Sequence, residues 1–492
     1  MTRAPAPIRK RALCVFVILL GAYLATSSFR VDTIDTGIRL RVARSLVEEG
    51  TPAIERLEFR TPFGAVGSFA GSDGRYYSVY GLGQSLLFVP AVLLGGERAA
   101  ALATLLNPLV TAAACALLVV WGGALGYSIR SATALGLIVG LGTLAWPHAK
   151  FTFEAPLQML ALATALFLLT DPDPAGRRRA SVGRVAVAGG VVGFALLVRP
   201  SAILMVPGLL FLLNRRRLPA FLAGCAPWVL LALYYNFLRW GSPLASGYAE
   251  TGFRYFEISW QGIVGLLVSP GRGFFWYSPI LLLTPLGFRP LRERHPRLVR
   301  SILVVAGTYL AFFSFTTIWN GDWSWGPRHV LPLVPLIALF LLPVLDRVSR
   351  PAFVMPLVGL SVLVQLIGVS VNYESFYLWH NDQLRRAGRL ERASRMHFSP
   401  ATSQLYVELR QALVFFARWP SYAPSYRPEV DGDPYAEILQ GSARLTKRVP
   451  DYWWVYFPLT GVPAGVSIAL GATCLGLVGG GVMCLRRGQP AS

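Results

Sequence analysis

Long apolar runs recur from Leu13 to Leu485, and this recurrence constrains the fold more than any other feature of the chain. Several runs reach or approach the roughly 20 residues a helix needs to cross about 30 Å of hydrocarbon. They are continuous rather than alternating, so spanning helices are expected in preference to the strands of a barrel. Charged residues make up only 14% of the 492 positions and mean hydropathy is +0.50. A soluble domain carries about 25% charged residues and has no core large enough for so much apolar sequence. The expected class is an all-α polytopic membrane protein.

The net charge of +21 would suit a nucleic-acid partner, but the cations are not arranged as a binding stripe. They sit in short clusters between apolar runs, the pattern of cytosolic turns. The clusters are Arg9 to Arg11, Arg130, Arg177 to Arg179 with Arg184, Arg215 to Arg217, Arg289 to Arg300, Arg347 with Arg350, and Arg486 with Arg487. Seven cytosolic stations imply twelve spans, expected near 12–29, 99–122, 131–147, 154–170, 184–198, 201–214, 218–239, 276–290, 299–319, 330–346, 352–372 and 455–485. Both termini then face the cytosol, and the expected location is the plasma (inner) membrane. The start of the chain resembles a signal peptide, but its cleavage site is poor and many spans follow, so an uncleaved first helix is expected.

Residues 80–96 do not fit this count, being short, glycine-rich and interrupted by Pro90. They are expected to lie flat on, or dip into, the outer face; the alternative is a thirteenth span. The outer side then holds a first loop at 30–97, turns at 148–153 and 320–329, a loop at 240–275, and a segment at 373–453 rich in Tyr, Trp and Pro. The chain divides into a transmembrane core (1–372), a small extracytoplasmic cap (373–453), and a last span with a cytosolic tail (454–492). All five cysteines lie in apolar segments and none pairs in an exported loop, so no disulfide framework is expected.

The ionisable residues that could carry chemistry crowd the expected outer rim. Asp32 and Asp35 follow the first span. From Asp35 the sequence reads as an interfacial helix, with Ile38, Val42, Leu46 and Val47 on one side and Arg39, Arg41 and Arg44 on the other. The bland reading of Asp32 or Asp35 is a helix N-cap. DGRYYSVYGLGQ, from Asp73, brings Arg75, Tyr76 and Tyr77 to the same loop, where tyrosines also serve as an aromatic belt. His148, Lys150 and Glu154 surround the start of the fourth span, and a carboxylate at that depth is costly without a partner. Arg199, Arg272, Arg328 and His329 lie in outer turns, the side on which short loops disfavour arginine. Together such arginines could bind a phosphate by forked hydrogen bonds, or pair with Asp322 and Glu154 in a structural network. No P-loop, dinucleotide fingerprint, H-E-x-x-H or Cys/His cluster is present, which argues against nucleotide hydrolysis and a tight zinc site.

These motifs give the chain a resemblance to the GT-C membrane glycosyltransferases, which include protein O-mannosyltransferases and the aminoarabinose transferases of lipid A. The likeness covers mainly residues 12–330. It rests on the acid after span one with its helix ending at Gly50, on GRYYSVYGLGQ, on the acid opening span four, and on WNGDWSWGPRHVLPLVP. It implies a GT-C-like fold and transfer of a sugar from a polyprenyl-phosphate donor to a glycolipid, polysaccharide or protein acceptor at the outer membrane face. Asp35 matches the family's catalytic base. Glu154 matches its second acid, where many relatives carry Asp. Val79 stands where the aminoarabinose branch has a lysine, a departure from the family's pattern, so phosphate contact must come from elsewhere, with Arg75, Lys150, Arg199 and Arg328 as the candidates. No cofactor is implied with certainty, although two carboxylates on one face could ligate a divalent metal weakly. The rival classes are a transporter or lipid flippase without covalent chemistry, and an assembly factor.

Overall fold

The computed structural model describes residues 6–61, 64–170, 180–251, 256–257, 260–321, 323–347, 354–386, 397–421 and 449–487. The fold is a helix bundle. α1 is Ala6–Ala25 and α2 is Ile34–Glu48; α3 (Gly83–Gly95) and α4 (Ala99–Ala103) complete the first loop. There follow α5 (Leu106–Ala124), α6 (Ile129–Gly142), α7 (Ala145–Lys150), α8 (Ala155–Leu169), α9 (Val182–Val198), α10 (Pro200–Leu210, opening as a 3₁₀ turn) and α11 (Leu218–Trp240). Beyond the short α12 (Gly247–Glu250), α13 (Trp260–Val268) and α14 (Phe274–Tyr277) come α15 (Thr284–Arg294), α16 (Pro296–Ser314) and α17 (Arg328–Arg347, alternating 3₁₀ and α). The last elements are α18 (Met355–Ser370), α19 (Tyr373–Arg386), α20 (Gln404–Arg418), α21 (Trp453–Leu459) and α22 (Ala464–Arg487).

By length and composition alone, six described helical stretches are long and apolar enough to cross a membrane: Gly83–Ala103 (folded back on itself at Gly96), Leu106–Ala124, Arg215–Trp240, Pro296–Ser314, Arg328–Arg347 and Ala464–Arg486. Shorter apolar helices, such as Ala155–Leu169 and Met355–Ser370, pack among them. The core that joins them is built of small and branched side chains from α1, α5, α6, α8, α9, α16 and α17.

Three expectations are corrected. The first loop is not wholly helical: Ala53–Ile54, Glu58–Thr61, Gly64–Ala70 and Tyr76–Ser78 (β1 to β4) form an antiparallel sheet in the order β1-β4-β3-β2. Outside hydrocarbon a loop can satisfy its backbone by strand pairing, which is what β1 to β4 do here. Second, Cys14 of α1 and Cys484 of α22 form a disulfide, with Cα atoms 6.1 Å apart. The two helices lie side by side although 470 residues separate the cysteines, a pairing that no local sequence pattern marks. Third, the expected span at 99–122 is broken. Gly96, at φ 50°, ends α3, and α4 folds back so that Ala99, Ala100 and Ala103 join Phe88 and Val92 in one apolar cluster with Leu40 and Ala43 of α2. Residues 83–95 and 99–103 therefore form a helical hairpin that packs on α2.

The bundle has two chemically distinct ends. At one, Ser128 N donates to Asp346, His295 bonds Leu125 O, Arg294 lies over Tyr127, and Arg217 bonds Ala180 O. Arg184, Arg215 to Arg217, Arg289 to Arg300 and Arg347 gather there; Arg177 to Arg179 and Arg350 lie outside the described residues. The other end collects α2, the sheet, α7, the C-terminus of α9 and the starts of α8 and α17.

Candidate active site

α2 builds the centre of that second end. Its N-cap is Thr33, whose hydroxyl accepts from Thr36 N at 3.0 Å, so neither Asp32 nor Asp35 serves as the cap. Asp35 and Arg39, four residues apart, share one face of the helix. That face turns toward the protein, so Arg39 is buried, contrary to its expected place among the solvated arginines. Arg41 and Arg44 do take that place, pairing with Glu55 and Glu48.

Tyr80 Oη donates to Asp35 Oδ1 at 2.5 Å, and the Tyr80 ring lies beneath the Arg39 guanidinium at 4.3 Å. Tyr80 is held from behind: Arg239 at the end of α11 donates to Ser78 O and Tyr80 O. The next residues touch α9 directly. A Cβ on Gly81 would stand 2.3 Å from Leu197 O, and one on Gly83 2.6 Å from the Val198 side chain. The glycines of YGLGQ thus permit the approach of a helix end, which fixes Tyr80 against α2.

Glu154 is the second acid. Arg199 Nη1 donates to its Oε1 at 2.5 Å, and Arg39 Nη1 stands 3.2 Å from its Oε2, an ion pair not aligned as a hydrogen bond. Burial alone would raise the Glu154 carboxyl. Arg39, Arg199 and Arg328 outweigh it and hold the group far below the ordinary carboxylate range. Arg328 stacks on Phe153 at 3.9 Å. His329 stacks on Phe313 at 4.5 Å, within electrostatic reach of Arg199, Arg328 and Glu154. Tyr248, edge-on to Tyr80, interacts with Arg199, Arg39, Glu154 and Asp35.

The cluster holds more donors than the described residues satisfy. Nε and Nη1 of Arg39 and Nε and Nη1 of Arg328 have no hydrogen-bond partner among the described residues. Nδ1 of His148 is likewise unpartnered, while its Nε2 meets Trp325 O at 3.0 Å. Burial, then Arg328, depresses His148 to about 3, so its ring is neutral. Buried polar groups are nearly always paired, and the open N–H groups of Arg39 and Arg328 are of the kind an anion can satisfy; the neutral His148 ring, whose Nε2–H donates to Trp325 O, offers only an acceptor at Nδ1.

Other expected residues fall elsewhere. Asp32 Oδ1 accepts from Thr152 N and Oγ1 at 3.2 and 2.8 Å; burial pushes its carboxyl up to about 6 against those bonds. Lys150 donates to Val369 O at 2.6 Å and pairs with Asp451 at 2.8 Å. Asp451 also accepts from Tyr456 at 2.5 Å; burial would raise it, but Lys150 and Arg30 hold it low. Arg272 donates to Ser324 O and Gly326 O, shaping the turn before Arg328. That turn needs Gly326 at φ 60°, where a Cβ would strike the Tyr277 ring at 2.6 Å. Arg75 and Tyr77 meet Asp73, and Tyr76 lies under Arg56. Arg75 and Tyr76 line a cleft of about 1070 Å³ on the opposite face of α2, with Arg41 and Arg44 but without Asp35 or Glu154. Asp322 lies outside the described residues. Among those described, no group of three or more His, Cys, Asp or Glu side chains is placed to hold a metal ion.

Sequence reasoning passed over Tyr80, Arg239, Tyr248 and Asp451. Tyr80 stood in a quoted motif; the others lie in loops or at helix ends with no local pattern to mark them.

No known family signature matches the chain, and no curated protein sequence does. Among solved structures it is similar to the crystal structure of ArnT from Cupriavidus metallidurans in the apo state, at 16% identity over 92% of this chain and 87% of that one, with a TM-score of 0.48.

Proposed function

We propose that the chain is a membrane glycosyltransferase that takes a sugar from a polyprenyl-phosphate donor at this cluster. The observation that carries the reading is the meeting of a half-buried acid, Asp35, with three guanidinium groups and unsatisfied donors at one end of an apolar bundle. A lipid-linked donor keeps its tail among the helices and presents its phosphate and sugar at that depth.

Asp35 takes the proton from an acceptor hydroxyl or amine as that atom attacks the anomeric carbon. The bond from the anomeric carbon to the phosphate oxygen breaks, and polyprenyl phosphate leaves with the electron pair. In-line attack inverts the anomeric centre. Arg199 and Arg328 take up the charge that develops on the leaving phosphate. Glu154 sets their geometry by anchoring Arg39 and Arg199. Tyr80 orients the base.

The same reading gives twelve spans with the site on the extracytoplasmic side. What supports it is that α1, α5, α6, α8, α9, α10, α11, α15, α16, α17, α18 and α22 run between the two ends, with Arg184, Arg215 to Arg217, Arg289 to Arg300 and Arg347 gathered at the end away from Asp35.

The test is sugar transfer from a polyprenyl-phosphate donor by purified protein. Asp35→Asn should cost about 100-fold or more in turnover with donor binding retained. Full activity in this variant removes Asp35 from its role. Donor crossing liposomes without any product would instead support the transport reading.

A further inference from the structure

The segment expected as a soluble cap contains a helix built the wrong way round for water. In α20 the inward face carries Gln404, Val407, Glu408, Ala412 and Phe415. Its polar members are fixed there. Gln404 Nε2 donates to Ser324 O at 3.2 Å and to Glu408 at 2.6 Å, and Gln404 Oε1 accepts from Gly326 N at 3.2 Å. The outward face carries Tyr406, Leu409, Leu413, Val414 and Phe416, all exposed, Leu413 by 65%. The charged residues on that face are Arg410 and Arg418; it has no acid.

We propose that this outward face is immersed in the bilayer leaflet at the site end, with Arg410 and Arg418 among its headgroups. The location supports a lipid surface rather than a protein partner. α20 packs on the end of α18, where Val371, Ala412 and Phe415 form one buried cluster. Leu360 and Leu363 of α18 are likewise exposed, so the helix on which α20 packs also turns apolar side chains outward. Trp419 and Trp454 meet edge to face at its C-terminal end, the placement of aromatic anchors at a membrane interface. Two exposed arginines and no acid complement anionic lipids. The Glu408 carboxyl lies on the opposite, buried face of the helix and takes no part in the contact. Through Gln404 the helix would tie the turn before Arg328 to a fixed bilayer depth.

The test places a fluorescent bimane on Leu413→Cys and, separately, on Phe416→Cys, with all five native cysteines replaced. Glu49→Cys, on an exposed residue beyond α2, is the aqueous control. The protein is reconstituted in equimolar phosphatidylcholine and phosphatidylglycerol. Lipid brominated near the headgroup end of its chains should quench positions 413 and 416 several-fold more than iodide supplied on both sides, with the order reversed at 49. Iodide quenching at 413 and 416 equal to that at 49 overturns the proposal, because the face is then in water. Failure of both quenchers also overturns it, because protein, such as a second copy of this chain, then covers the face. Tyr406→Cys repeats the reading if either variant does not fold. None of these outcomes depends on sugar transfer.

Discussion

Glu154→Gln is the most informative single change, because one carboxylate offsets two buried cations. At 3.2 Å and an effective dielectric near 20, the Arg39 pair is worth about 5 kcal/mol of Coulomb energy before desolvation. Removing one partner of a buried pair costs about 3–5 kcal/mol, since the other charge is left uncompensated. Arg199 is 16% exposed and regains some water, whereas Arg39, at 1%, keeps the Tyr80 face and the nearby Asp35 and Tyr248. The expected loss is therefore near the lower bound, about 3 kcal/mol. Thermal unfolding in detergent should show Glu154→Gln melting several degrees below wild type, and Glu154→Gln combined with Arg39→Gln recovering most of the loss. A single variant that melts like wild type, or a double variant no better than the single, refutes the claim that Glu154 is the counter-charge of Arg39.

Three further outcomes follow from the same geometry. Asp451→Asn leaves the Lys150 ammonium buried without its carboxylate and should lower the unfolding temperature; adding Lys150→Met should restore most of it. The folded pKa of Asp32, about 6, lies above its unfolded value of 3.8, so its contribution to stability is full below about pH 4 and is lost as pH rises through 6. Asp32→Asn should thus gain up to about 3 kcal/mol at neutral pH and nothing below about pH 4, read from melting curves across that range. Tyr80→Phe removes the hydrogen bond to Asp35 while keeping the ring under Arg39; turnover should fall about tenfold with little change in melting.

The helix bundle was legible because hydrophobic run length and the spacing of basic clusters are local signals. Glu154 and Arg199 were singled out by position, one an acid and the other an arginine where each is costly. What the sequence did not reveal was pairing. Nothing in the vicinity of Lys150 marks Asp451 as its partner, and nothing in α2 alone says that Arg39 turns inward to Glu154 while Arg41 turns outward to Glu55. The sheet of the first loop was missed because its strands are short, and the back-folded α4 because a single glycine, Gly96, reverses the chain inside an apolar run. Arg75, Tyr76 and Tyr77 share a motif with Tyr80, yet alternation along the strand and a turn separate them from it.

The central claim is that the arginine cluster holds the phosphate of a lipid-linked sugar. Mass spectrometry of lipids carried through purification tests it most directly, comparing wild type with Arg328→Gln and with Arg297→Gln, an exposed arginine at the basic end. The account predicts polyprenyl phosphate, or its glycosylated form, bound to wild type and to Arg297→Gln and strongly depleted in Arg328→Gln. Equal amounts in all three, or none in wild type supplied with the donor, would contradict it.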